Sequence, residues 1–476
     1  MQSFQSHTRA RILAAGILVL VVGFVPSLWA QATPLSVSDA VTMALENDPG
    51  VQSSSWDWLT ASAKADAAKW HLLPAVSLGA GYQKLSDLPA ESLTMANPFY
   101  PLGPTQINFA FPASLTDYWA LTANVQYTVF AGFRVREALA LAQLQADSKL
   151  VGIEMVKRAL IFEVRRAYWE AARATFNRQT LEKNLELMKA GRELTSRQVG
   201  QGTATRADQL AADARLNQAD LDLGDAVSLQ NRAYLTLASL IGKDAAGQSL
   251  DAQPSDAQQP FALSSQPKDP VVGDLGSTLE ENDLVSKALA RRPETRLSSL
   301  SLQMGEHAVK QAQGTLYPTV TLTGNYTYAD PNQRVPFQTD STVFTGTWAL
   351  GVQIGYDLGG LASNISEIDA QGQALKKTEA DAQKLRNSVT LDVRSCMISL
   401  ERARRDLSLT QGSVDQAREN LRVAQEKLAN GTANDLDVLT AQFNLLKVGF
   451  AVTNRAIDVQ IASADLARAS AVDEVK

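Results

Sequence analysis

Four stretches of this chain alternate between unlike residue classes, and that alternation limits what it can fold into. In PTVTLTGNYTY (318–328), Thr319, Thr321, Thr323, Asn325 and Thr327 take every second place, with Val320, Leu322, Gly324, Tyr326 and Tyr328 between them. A period of two marks a β-strand with two different faces. YWALTANVQYTVF (118–130) repeats the scheme, with Trp119, Leu121, Ala123, Val125, Tyr127 and Val129 set against Ala120, Thr122, Asn124, Gln126 and Thr128. TWALGVQIGYDL (347–358) sets Trp348, Leu350, Val352, Ile354, Tyr356 and Leu358 against Ala349, Gly351, Gln353, Gly355 and Asp357, and PAVSLGAGYQ (74–83) is the fourth stretch. Each run is close to the roughly 9–11 residues of a tilted membrane strand. Trp119 and Tyr127, like Trp348 and Tyr356, are spaced to sit about 20 Å apart in height on a tilted strand, suiting the aromatic girdles of an outer-membrane band. A half-buried sheet in a soluble protein is the competing reading for any one strand. Four in succession, with mostly small polar residues opposite the apolar face, favour lipid.

Four strands cannot close a barrel, for which about eight is the known minimum. Open edges in lipid leave backbone groups unpaired at several kcal/mol each. Strands of this kind therefore imply a barrel shared between copies, with eight strands from a dimer or twelve from a trimer. An eight-stranded interior is filled by side chains, whereas a lining of Thr122, Asn124, Gln126, Thr319, Thr321, Thr323, Asn325 and Gln353 suggests a wet lumen and favours twelve.

The chain is also written twice. At an offset of 244, Pro74, Val76, Leu78 and Tyr82 match Pro318, Val320, Leu322 and Tyr326; Ala44-Leu45 and Pro49 match Ala288-Leu289 and Pro293. At an offset of 229, Trp119, Leu121 and Tyr127 match Trp348, Leu350 and Tyr356; further on, Gly202-Thr203, Asp208 and Leu210 match Gly431-Thr432, Asp437 and Leu439. The change of offset falls between the paired strands, where the first half carries the longer connection. Residues 1–32 read as a signal peptide, since Arg9 and Arg11 precede the apolar run ILAAGILVLVVGFV and Ala30-Gln31-Ala32 offers a cleavage site. That run is short for a transmembrane anchor, the other reading. Residues 33–241 form the first repeat, 242–278 a linker rich in Gln, Pro, Ser and Asp, and 279–476 the second repeat. Residues 84–117, with five prolines, and 329–346 are expected to be exposed loops.

After each second strand comes a proline-free stretch, 133–199 and 362–430, roughly 100 Å long as helix. Each ends at a glycine turn, GQGTAT (200–205) or NGTAN (430–434), and a return helix follows near 207–241 and 435–470. A shorter helix precedes each first strand, from Pro49 to Leu72 and from Pro293 to Leu316. The two shorter helices together span about the length of the long one, so the expected arrangement is one long helix beside two stacked ones, twice per chain. The fold class is a mixed α/β membrane protein: a long α-helical coiled-coil barrel plus a transmembrane β-barrel shared between protomers, four strands each.

These residues carry a resemblance to a family. ALENDPGVQ (44–52) and ALARRPETR (288–296), the strand openings LLPAVSLGAGY and LYPTVTLTGNY, and the tip NGTANDLDVLTAQ (430–442) together resemble the TolC-like outer-membrane efflux proteins, over essentially the whole mature chain. The resemblance implies a homotrimer in the outer membrane, with a twelve-stranded barrel and a helical periplasmic tunnel. It implies an exit duct serving a periplasmic adaptor and an inner-membrane pump, without a cofactor. It also implies that Asp437 lines the narrow periplasmic entrance, with Asp208 at the equivalent place in the first repeat. The family's second ring acid would fall at Thr440 and its latching arginine at Ala433, so that particular latch is missing. Gly202, Thr203, Gly431 and Thr432 would lie at the adaptor contact. From the residues alone, Thr205-x-x-Asp208 and Asn434-x-x-Asp437 also read as helix caps.

Other chemistries find little footing. His71 and His307 lack metal-ligand spacing, no serine sits in a nucleophile elbow, and no phosphate-binding loop occurs. Enzymatic activity is not expected. The net charge of −6 becomes −8 without Arg9 and Arg11, which argues against nucleic-acid binding. The rival function is an exported coiled-coil tether. Within the duct reading, protein secretion stands beside small-molecule efflux.

Overall fold

The computed structural model describes residues 35–84, 86, 92–110, 117–242, 281–330, 332 and 343–472. The expected signal peptide lies outside the described residues, as does almost all of the expected linker. In each repeat a short helix, α1 (Val37–Asn47) or α5 (Glu281–Arg291), leads into a second, α2 (Pro49–Trp70) or α6 (Pro293–Gln313). Proline at the first helical position explains both junctions, since its fixed φ suits a helix start and its missing N–H is not needed there. Asp48 caps α2 by accepting the N–H of Val51 at 2.7 Å. Arg292 offers α6 no such cap and instead reaches Asp392 at 2.9 Å.

Each helix pair ends in a strand, and the chain then runs through a second strand into long helices. The first repeat gives β1 (Ala75–Lys84), a small distal hairpin of β2 (Ser92–Ala96) and β3 (Gln106–Ala110), and β4 (Asp117–Ala131). It continues as α3 (Arg134–Gly200) and α4 (Arg206–Leu240). The second gives β5 (Thr319–Asp330), β6 (Thr345–Gly355), α7 (Leu361–Ala429) and α8 (Asp435–Ser470). The hairpin falls inside a stretch expected to be loop.

The large sheet has the order β1-β4-β5-β6, wholly antiparallel, so β1 and β6 are edges. Register sorts the side chains cleanly. Val76, Leu78, Ala80 and Tyr82 stand opposite Val125, Ala123, Leu121 and Trp119; on the other side of β4, Tyr328, Tyr326 and Leu322 stand opposite Leu121, Ala123 and Tyr127. Tyr326, Leu322 and Val320 continue the same face to Trp348, Val352 and Ile354. This apolar face is bare: Leu78, Leu350 and Ile354 are 82%, 79% and 70% exposed.

The helices lie in rows continuing the sheet. Near the strands α3 packs between α2 and α6, and α7 beyond α6; farther away α3 packs between α4 and α8, with α7 beyond α8. Each long helix thus lies beside two shorter ones, as expected. Three side-chain contacts join the repeats along α3: the ion pairs Glu154–Arg296 and Arg173–Asp458 at 2.8 and 2.6 Å, and a hydrogen bond between Glu137 and His307 Nδ1 at 2.5 Å. One core gathers α1, α3 and α4 around Tyr168, Trp169, Leu237 and Ile241; a second joins α5, α7 and α8 around Leu284, Val393 and Leu466.

The crossing from sheet to helices is tight. Gly132 has φ +61°, and a Cβ there would collide with the Gly314 carbonyl; a Cβ at Gly314 would in turn meet the Gly132 carbonyl. Gly132→Ala and Gly314→Ala are each expected to lower stability by about 2 kcal/mol or more. Gly152→Ala, in the middle of α3 where the space is open, should be neutral or slightly stabilising. Thermal unfolding of the three purified variants measures this.

Candidate functional site

Two regions carry the expected site residues: the polar face of the sheet and the far tips of the helical hairpins. On the sheet, β4 and β5 place Thr128 opposite Thr321, Gln126 opposite Thr323, Asn124 opposite Asn325, and Thr122 opposite Thr327. β6 adds Gln353 beside Thr321 and Gly351 beside Thr323. All the expected lumen residues therefore fall on one face, opposite the apolar one. They interlock: Asn325 Nδ2 donates to Asn124 Oδ1 at 2.6 Å, and Thr327 Oγ1 donates to Asn325 Oδ1 at 3.0 Å. The two ends differ in freedom. Thr321 is buried near the helices, and Thr319 Oγ1 accepts from Arg134 Nη2 at 3.1 Å, which ties it to the strand–helix crossing.

The apolar face is banded by aromatics. At the distal end Tyr82 and Trp119 pack with ring centroids 4.5 Å apart, and Trp348 stands opposite Tyr326. Toward the helices come Tyr127 and the cluster of Phe130, Phe133 and Tyr317. Tyr356, expected at this level, lies one residue beyond the end of β6.

The tips are near copies of one another. Gly202 and Gly431 take φ +77° and +70° with nothing near an added Cβ, so glycine is required there by backbone conformation alone. Gly202 donates to the Val199 carbonyl and Thr203 to the Gln198 carbonyl; Gly431 and Thr432 donate likewise to Leu428 and Lys427. This is the double closure of a left-handed helix stop. The hydroxyls of Thr203 and Thr432 add bonds to the Gln198 and Lys427 carbonyls at 3.0 and 3.1 Å. Return helices start at once with reciprocal caps, Thr205 with Asp208 and Asn434 with Asp437. Asp208 accepts the Thr205 N–H at 2.8 Å and its hydroxyl at 2.6 Å; Asp437 accepts the Asn434 N–H at 3.0 Å. Both carboxylates are thus structural caps at exposed positions, with their charge still facing solvent. Thr440 turns back, its hydroxyl donating to the Leu436 carbonyl at 2.8 Å. The tips share one end of the molecule, since Gly191 of α3 lies against Leu439 of α8.

Sequence reasoning missed the side-chain contacts between repeats. His307, alone in the sequence, bonds Glu137 across 170 positions, and only the packing of α6 on α3 brings them together. Among the described residues no helix is long and apolar enough to cross a membrane, and no group of His, Cys, Asp and Glu is arranged to hold a metal ion.

Comparison with known proteins follows the same two repeats. The family described as "Outer membrane efflux protein" matches residues 40–243 and 284–472. The chain is 23% identical over 358 residues to the outer membrane efflux protein BepC of Brucella suis, covering 75% of this chain and 73% of that one. It is 24% identical over 350 residues to the protein CyaE of Bordetella pertussis, covering 70% and 69%. Among solved structures, the outer membrane channel CmeC of Campylobacter jejuni has a similar fold, with a TM-score of 0.71 at 16% identity and 91% and 85% of the two chains covered.

The Thr205 hydroxyl, and then the Thr205 N–H, hold the Asp208 carboxyl below the ordinary aspartate value of 3.8. A depressed value means the cap is intact above the unfolded value and is lost as pH falls through the folded one. Thr205→Val should return the Asp208 titration toward 3.8. Carboxyl carbon NMR of labelled protein, read against pH for both forms, measures the shift.

Proposed function

Because the chain belongs to the outer membrane efflux protein family, we propose that three copies form an exit duct of a tripartite efflux or secretion system. Each copy contributes four strands to a twelve-stranded barrel in the outer membrane and its helix rows to a periplasmic tunnel. Substrates arrive from an inner-membrane pump through a periplasmic adaptor and leave without covalent change. The family consists of channel proteins, not enzymes.

One observation carries this reading: a sheet with a bare apolar face, a polar face opposite, and two unpaired edges. Lipid accepts the apolar face but leaves edge N–H and C=O groups without partners, so the edges need other strands. The repeat says how they meet. Val76 opposite Val125 becomes, at the two offsets, Val320 opposite Ile354, so the β1–β4 and β5–β6 hairpins share one register. The β4–β5 junction between them has no second example within the chain. Carrying its register across by the same offsets sets Ile354 of one copy opposite Ala80 of the next, and Val352 opposite Tyr82. Apolar residues meet apolar ones, while Gln353 meets Gly81 on the polar face. A head-to-tail contact of this kind closes into a ring.

At the opposite end, three copies bring three Asp437 carboxylates around the axis, a ring that favours cations. Gly202, Thr203, Gly431 and Thr432 form the outermost turns, where an adaptor would dock.

Purified protein in a planar bilayer should conduct, and Asp437→Asn should lower its cation preference severalfold. The asparagine oxygen can still accept the Asn434 N–H, so the cap persists while the charge goes; unchanged selectivity removes Asp437 from the pore. Oxidised Ala80→Cys/Ile354→Cys protein, in a Cys396→Ala background, should run on gels as covalently linked oligomers. A purely monomeric band overturns the shared barrel.

A further inference from the structure

The distal hairpin is a feature that the duct does not explain. Its backbone pairs Leu93 with Phe109 and Met95 with Ile107, alternating with the polar pair Thr94–Asn108 and with Ala96–Gln106. Met95 is half exposed, and the connecting turn presents Phe99, Tyr100 and Leu102, the last 94% exposed. This tip is built rather than loose. Asn97 donates its backbone N–H to the Thr105 carbonyl and its side-chain Nδ2 to the Pro104 carbonyl at 2.7 Å, while its Oδ1 accepts the Phe99 N–H at 3.0 Å. A two-stranded ribbon is marginal in water unless its apolar face is covered. Among the described residues, β2 and β3 have substantial packing only with each other.

A matching surface exists at the opposite edge of the same sheet. Where β6 begins, Phe344 stacks on Tyr328 with centroids 5.2 Å apart, and Val343, Phe344 and Tyr328 are all exposed. The hairpin follows β1, and the Tyr328–Phe344 cluster precedes and flanks β6, both at the end of the sheet away from the helices. In the register derived above, Trp348 of one copy faces position 86 of the next. The end of β1, and the hairpin that follows it in the chain, therefore stand at the same end of the seam as Phe344 and Val343 of the neighbour.

We propose that the β2–β3 hairpin is a clasp between subunits, laying the Met95 face and the Phe99–Leu102 turn on Tyr328, Val343 and Phe344 of the adjacent copy. This rests on the edge-to-edge ring. It assigns a purpose to the extra length of the first repeat's connection: the second repeat needs no clasp of its own, because its β4–β5 seam is joined within one chain. The clasp fastens the seams between copies and leaves the internal seams without one.

Paired cysteines test it, using full-length protein in outer membranes and a Cys396→Ala background. The native thiol is buried, and burial followed by the nearby Asp392 pushes it up to about 11, so it is protonated at neutral pH before its removal. Met95→Cys/Val343→Cys should give covalent oligomers on mild oxidation, as Ala80→Cys/Ile354→Cys does for the seam. If the seam pair links and the hairpin pair does not, the clasp is wrong and the ring stands. If neither links, the ring reading fails and takes the clasp with it. If Met95→Cys alone links to itself, the hairpins meet one another over the pore and the proposed surface is wrong. A double change of Phe99→Ser and Leu102→Ser, which leaves the Asn97 bonds in place, should reduce the fraction of oligomer surviving heating in detergent at least twofold; an unchanged fraction counts against the clasp.

Discussion

A backbone amide in hydrocarbon has nothing to bond to except another backbone, and this one fact organises the molecule. Four strands pair among themselves and leave two rows of groups unmet at β1 and β6. The helices extend the same incompleteness away from the membrane. Leu221 and Leu229 of α4 are exposed along one flank, and Leu391 and Ile398 of α7 along the other. In water these flanks would be a solubility problem; in the proposed ring each flank would cover the other. Sheet edge and helix flank are two expressions of one unfinished surface. The first cannot be left open at all, and the second can be left open only at a cost in exposed apolar area.

The hairpin tips show how a local requirement fixes the place of a charge. A helix that ends and restarts within a few residues leaves carbonyls on one side and amides on the other. Gly431 and Thr432 satisfy the carbonyls, and Asn434 and Asp437 the amides. The carboxylate has lone pairs and charge to spare after accepting one N–H. The conformational needs of the turn therefore fix where the acid stands, and the proposed ring would use it there.

Much of this was legible in the sequence, for identifiable reasons. Strict alternation marks β1, β4, β5 and β6 to within a few residues, because a sheet with one apolar and one polar face allows no compromise in the pattern. Absence of proline and a glycine stop gave α3, α4, α7 and α8 nearly end for end. The short helices α1 and α5 were not read separately, since their junctions at Pro49 and Pro293 look like the start of a single helix. The β2–β3 hairpin was hidden by five prolines in its connection, read as loop, although its paired positions alternate like the larger strands. Tyr356 continues the alternation of β6 past the point where its ladder stops, so periodicity overran the hydrogen bonds. Contacts between helices, such as Arg173 with Asp458, left no trace, because separation along the chain says nothing about which helices become neighbours.

The three side-chain contacts that cross between repeats have a further meaning. Moved by the repeat offsets to the flanks, Glu137 and His307 become Ser366 and Ala63, Glu154 and Arg296 become Gln383 and Gln52, and Arg173 and Asp458 become Arg402 and Leu229. None of those can form a bridge. Two halves of near-identical shape are thereby given different contacts: the charges mark the side of α3 that meets α6 and α8, and the corresponding positions on α2, α4 and α7 carry no counterpart of them. The seam within the chain is thus the charged one, and strong brine would weaken it where the flanks have nothing of the kind to lose.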